Sequence, residues 1–221
     1  MKTEDLIQCL GNDLAPLRPL AAPWKRAAVW LAWAGAYLGA VVLSAWMRQG
    51  SLGTRGAGPF VLQQLSLIAT AVTASVAAFV SVIPAADRRV LRTPLVPGVV
   101  VVATLLWGCM ADVRTRGTLG FGRETDWPCV VSITLGGVML WAVGVAMLRR
   151  GAPLAPRASS MLAGVAALSV ANIEACLSRP HEFGITVLLW HGMTTALMLA
   201  ALVCVGRGLF AWKKMQTGLR R

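Results

Sequence analysis

Asn172-Ile-Glu-Ala-Cys-Leu-Ser-Arg-Pro-His-Glu-Phe-Gly-Ile-Thr-Val-Leu-Leu-Trp-His-Gly192 joins the last two of several long apolar runs. It gathers Cys176, Glu174, Glu182 and the chain's only two histidines, His181 and His191, in a chain otherwise poor in such groups. The runs on either side, 159–177 and 184–206, are each long enough to cross a hydrocarbon core of about 30 Å at about 1.5 Å per residue. The short link between them, with Pro180 and His181, makes the two helices antiparallel neighbours.

Four earlier runs repeat the pattern, at 27–47, 60–83, 95–111 and 129–148. The third is the weakest, being short and carrying Pro97 near its start. Composition agrees: 57% apolar residues, 14% charged and 9 Trp lie far from the balance of a soluble domain, where about a quarter of residues are charged. Within lipid a helix satisfies every backbone donor and acceptor inside its own segment. The expectation is an all-α membrane protein with six transmembrane helices over 27–206, a cytoplasmic segment 1–26 and a basic tail 207–221. The first run exceeds a signal-peptide core and has no convincing cleavage site after it, so it is read as retained.

The net charge of +12 is a topology signal. Of 21 Lys and Arg, only Arg48, Arg55, Arg114, Arg116, Arg123 and Arg179 fall on the side opposite the termini. By the positive-inside rule both termini are cytoplasmic. A secondary reading of the basic flanks is contact with anionic lipid headgroups. Nucleic acid is not an expected partner, because no basic stripe interleaved with aromatics stands outside the membrane flanks. Trp46, Trp107 and Trp127 fall near the outer interface, and Trp24 and Trp212 near the inner one, as an aromatic belt requires. Gly35 and Gly39 have the spacing of a close helix contact and are read as ordinary packing. The 112–128 segment, with Gly117, Gly120 and Gly122 among mixed charges, is read as an irregular outer loop.

Residues 4–14 form an expected amphipathic helix. Thr3 is its N-cap, Glu4 and Asp5 sit in the first turn where the helix dipole favours negative charge, and Leu6, Ile7, Leu10 and Leu14 follow at helical spacing. Pro16, Pro19 and Pro23 end it. The helix lies on the lipid surface or hooks a cytoplasmic partner. Glu4, Asp5 and Asp13 would be repelled by anionic headgroups, unlike the Lys and Arg usual on a surface-lying helix.

The five cysteines sort by topology. Cys9 and Cys204 fall on the cytoplasmic side and should stay reduced. Cys129 and Cys176 fall at the outer ends of helices four and five, with Cys109 just inside the outer end of helix three. In a bacterial inner membrane that face is oxidising, and Cys129 and Cys176 are either a redox-capable pair or buried apolar thiols. A small metal site from Cys129, Cys176 and His181 is a rival use. His191, about 10 Å down helix six, is too deep to share an ion with His181. It lies level with Asn172, and an Asn172–His191 hydrogen bond would satisfy both, with Thr194 and Thr195 extending the polar stripe. Glu174, about one turn from the surface, is protonated, paired or facing a polar crevice.

The opening Met1-Lys2-Thr3-Glu4-Asp5-Leu6-Ile7, with Leu10, Asp13, Leu14, Pro16 and Arg18, resembles the N-terminus of the NrsF family, negative regulators of sigma F. The six-run pattern, Cys129 after Pro128, and Cys176-x4-His181 followed by Trp190-His191-Gly192 also look like that family. Leu177 departs from it, where Pro often follows the second cysteine. The resemblance implies an inner-membrane anti-sigma factor that holds an extracytoplasmic-function sigma factor until oxidative or metal stress is sensed. Cys129 and Cys176 would be the sensing pair and helix 4–14 the docking element, with no catalytic residue, bound metal or cofactor. The alternatives are a periplasm-facing thiol-disulfide oxidoreductase, disfavoured by the lack of a Cys-x-x-Cys motif, and a small transporter, disfavoured by the lack of an internal repeat.

Overall fold

Each of the six apolar runs forms one long helix. The computed structural model describes residues 3, 20–49, 57–84, 86–116, 127–151, 153, 155–178 and 187–210. The helices are α1 Pro23–Gln49, α2 Ala57–Val80, α3 Leu95–Arg116, α4 Trp127–Arg149, α5 Pro156–Ser178 and α6 Gly192–Leu209, the last entered through a π-helical turn, Val187–His191. All six spans are long and apolar enough to cross a membrane, and no strand occurs among the described residues. A short helix, Arg88–Arg92, precedes α3, its first turn capped by Asp87, which accepts from the Arg89 backbone N–H at 2.8 Å. α3 runs on through Arg116, so residues 112–116 of the expected loop are helical, and 117–126 lie outside the described residues.

α5 is the axis of the bundle and packs against α1, α2, α4 and α6. Its membrane-length window is 67% buried, against 11% to 17% for α1, α3 and α6. The reason is in its residues. Lipid tails are as apolar as leucine, so helices associate in a membrane through close packing and interhelical hydrogen bonds, which small residues permit. α5 buries Ala163, Ala166, Ala167, Ala171 and Ala175, and α2 buries Ala71, Ala74, Ala77 and Ala78. α4 approaches through glycine: a Cβ on Gly136 would collide with the Tyr37 hydroxyl of α1, and one on Gly137 would stand 2.7 Å from Leu168 Cδ2 of α5. Gly35 and Gly39 behave otherwise than expected, since a Cβ on either meets nothing within 4 Å; their face points away from the bundle.

Hydrogen bonds between helices complete the packing. The Trp30 indole N–H of α1 donates to the Leu140 carbonyl of α4 at 3.1 Å. The Trp141 indole donates to Ser160 Oγ of α5 at 3.3 Å, and Ser160 donates in turn to the Leu202 carbonyl of α6 at 3.0 Å. At the end of the bundle where α1 begins, the Arg26 guanidinium lies 4.9 Å from the Phe79 ring centroid of α2 and donates to the Met147 carbonyl of α4. The outward faces are apolar: Met47, Val96, Val99 and Leu197 are exposed, as are Trp24, Trp46 and Trp127 near helix ends and Trp107 in the middle of α3, which continues beyond the expected interface. Trp212 lies outside the described residues.

Candidate functional site

The end of the bundle where α5 finishes and α6 begins carries most of the chain's unusual polar groups. On α5, Asn172 and Cys176 are four residues apart and share one face, while Glu174 between them points to the opposite side. The two faces meet different partners.

The first face looks at α6 and its π-helical entry. Sγ of Cys176 lies 3.9 Å from Nδ1 of His191, within hydrogen-bond range for sulfur. The Asn172 amide donates to Thr195 Oγ1 at 2.9 Å and to the Leu168 carbonyl at 2.8 Å. Asn172 and His191 line one cavity, but the expected matching depth is off by one turn: His191 lies level with Cys176, and Asn172 level with Thr195. The pairing differs from the expected one: Asn172 reaches Thr195, one turn further along, and His191 sits against the thiol. The π turn is the physical reason. Its wider winding at Val187–His191 inserts a residue into the helical register and re-aims the side chains that follow, an irregularity common at functional sites. Thr194 is buried as the polar stripe anticipated.

The second face looks at α4 and α1. Glu174, 6% exposed, accepts a hydrogen bond from the Ser132 hydroxyl of α4 and has the Tyr37 hydroxyl of α1 beside it. Of the three expectations for Glu174, the paired one describes it. Two neighbouring hydroxyls offset the cost of burying its carboxyl group. Sequence reasoning missed Tyr37 and Ser132. The signal was that Tyr37 is the chain's only tyrosine and stands mid-helix in an apolar run, where a phenol needs a partner, opposite Gly136, which makes room for it.

Cys129 is 1% exposed, on the first turn of α4, and α4 packs against both α5 and the π turn. Ser132 and Glu174 are in contact in this antiparallel pair, so Cys129, one turn before Ser132, lies level with Cys176, two residues after Glu174. No disulfide joins the two cysteines. Cys204 is exposed and remote on α6, and Cys109 is half-buried on α3. Among the described residues no three His, Cys, Asp or Glu side chains converge as a metal cage. His181, Glu182 and Cys9 lie outside the described residues, as does the expected helix 4–14. Of the expected docking residues Thr3 alone is described, and it is exposed, while Glu4, Asp5, Leu6, Ile7, Leu10, Asp13 and Leu14 are not.

Chemically, the arrangement offers a thiol beside an imidazole. The thiolate is the form that reacts with oxidants and soft metal ions, and an imidazole at hydrogen-bond distance is a group that can take the thiol proton. The contact bridges two helices, so modification of the sulfur acts directly on the α5–α6 interface.

Among curated proteins and among solved structures, no match to this chain is found. A family model does match, covering residues 10–212 and therefore all six helices together with the Asn172–Gly192 segment. The chain belongs to the family that this model describes, NrsF, negative regulator of sigma F.

Proposed function

We propose that this negative regulator is an inner-membrane anti-sigma factor for a sigma factor of the extracytoplasmic-function type, with both termini in the cytoplasm and Cys129 and Cys176 facing the periplasm. Membership of the family supports a sigma factor as partner. The observation that carries the sensing part is the Cys176–His191 contact at 3.9 Å. It is a reactive pairing that holds together the two helices at the outer end of the bundle, with Cys129 buried at the same level.

In this reading helix 4–14 docks the sigma factor through Leu6, Ile7, Leu10 and Leu14, with Glu4, Asp5 and Asp13 on the polar side. Oxidation of Cys176, or its capture by a soft metal ion, removes the contact with His191. The π turn and α6 then shift against α5, and the basic tail beyond α6 carries the change to the cytoplasmic face. The basic residues at that face rest on anionic lipid. An effector moves such an equilibrium only by acting differently on its two states, and a sulfur bonded to oxygen, sulfur or metal does so by losing its hydrogen bond.

The test is co-purification of the sigma factor with the full-length protein in membranes, before and after exposure to an oxidant or a heavy-metal salt. Recovery before exposure and loss after it, with loss abolished in Cys176→Ser, is the expected result. Recovery that is unaffected by Leu6→Glu would remove helix 4–14 as the docking element. Release that persists in Cys129→Ser and Cys176→Ser would remove the sensing role.

A further inference from the structure

Between α3 and α6, over a floor made by α2 and α5, lies a cavity of about 280 Å³ that opens to the side of the bundle. Its walls are Val101, Val102 and Leu105 of α3 and Ala196 and Leu199 of α6, with Leu168 beneath. At one end stand Gln63, Asn172, His191 and Thr195. From Val165 to Asn172 along α5 the cavity extends about 10 Å. It is therefore a slot with an apolar body and a polar head.

We infer that this slot binds the head of a neutral, lipid-soluble ketone of the quinone class, entering sideways from the bilayer with its tail left among the lipid chains. Three observations narrow the ligand to that chemistry. Among the described residues no Lys, Arg, Asp or Glu lines the slot, so no charged side chain there holds a phosphate or an amine. The exposed Val99 and Leu106 of α3 and Met193 and Leu197 of α6 keep the neighbouring surface apolar, so the approach is from lipid. The polar end offers a donor: Thr195 Oγ1 accepts from Asn172, which leaves the Thr195 hydroxyl proton for an acceptor on the ligand. The other hydroxyls in the slot are already used, Thr70 on the Ser66 carbonyl at 2.7 Å and Ser169 on the Val165 carbonyl at 2.8 Å. A small pocket with one or two placed polar groups in apolar walls is the usual form of a site for such a molecule. This inference rests on the membrane-spanning reading and is independent of the identity of the sigma factor.

The experiment uses the purified full-length protein in phosphatidylcholine nanodiscs and measures retention of decylubiquinone above that of protein-free nanodiscs. Gly98→Leu fills the slot without a clash, since a Cβ there meets nothing within 4 Å. Thr195→Val keeps the shape and removes the donor. Saturable binding, abolished by Gly98→Leu at the wild-type melting temperature and weakened about tenfold by Thr195→Val, is the expected result. Thr195→Val also removes the acceptor of one Asn172 hydrogen bond and so lowers the melting temperature without unfolding the protein. Binding no greater than in protein-free nanodiscs overturns the inference, as does saturable binding that neither variant changes. Phospholipid held by the protein and not displaced by decylubiquinone also overturns it, in favour of an acyl chain. Failure of the protein to enter nanodiscs would remove the membrane-spanning reading itself, and the inference with it.

Discussion

Sγ of Cys176 and Nδ1 of His191 stand 3.9 Å apart across the α5–α6 interface, one on the last turns of a regular α-helix and the other closing a π-helical turn. Neither residue owes its place to the other in sequence, and the contact exists only while α5 and α6 keep their register. A chemical change at the sulfur is therefore also a change in helix packing.

Replacing His191 should alter how Cys176 reacts without removing the thiol. We expect His191→Phe to slow alkylation of Cys176 by a membrane-permeant maleimide about tenfold, while Cys204, remote on α6, keeps its rate. Mass-tagging of each cysteine in the intact protein, read by gel shift against time, checks this. Equal slowing at both positions would mean a general loss of access rather than loss of the imidazole.

The Tyr37–Glu174–Ser132 cluster should behave as a unit. Tyr37→Phe removes the hydroxyl that stands beside the buried Glu174 carboxyl group and should cost about 1 kcal/mol. Gly136→Ala should also destabilise, because its Cβ would occupy the space of the Tyr37 hydroxyl. The double variant should recover part of the loss, since deletion of the hydroxyl makes that room. Thermal unfolding in one detergent, set out as a double-mutant cycle, reads the coupling directly; strictly additive losses would contradict the proposed collision.

Ser160 links three helices, accepting from Trp141 and donating to the Leu202 carbonyl. Ser160→Ala leaves a buried indole N–H and a helix carbonyl without this partner, and should lower stability by about 1–3 kcal/mol. Ser159 reaches only one other helix, through Ser81 at 2.7 Å, its second partner being the Ala155 carbonyl one turn earlier in the chain at 3.2 Å. Ser159→Ala should therefore cost less, and the ranking of the two melting temperatures tests the assignment.

Gln64 on α2 buries a carboxamide whose nitrogen and oxygen have no hydrogen-bond partner among the described residues. Gln64→Leu should raise stability by about 1 kcal/mol or more, because an apolar side chain of similar size has no polar group to desolvate. A lower melting temperature in that variant would show that the amide has a partner in the native membrane.

The sequence by itself determined the number of long apolar helices, their order and the adjacency of the last two, because these follow from local quantities. Twenty apolar residues in a row can only be a helix in lipid, and a short Pro-containing link can only return the chain alongside itself. It also brought Asn172 within one turn of the level of His191, since position along a helix is counted at a fixed rise per residue. Tertiary structure decided what those residues touch. The π turn at Val187–His191 has no periodic signature in its apolar residues, yet it sets whether His191 meets an amide or a thiol. Which face of α5 belongs to α6 and which to α4 depends on how glycine and alanine surfaces on separate helices fit. Gly35 and Gly39 have the spacing for such a fit and are not used, whereas Gly136 meets Tyr37 from a helix about a hundred residues away. Spacing within a helix records which residues share a face; only the packed bundle decides what that face is pressed against.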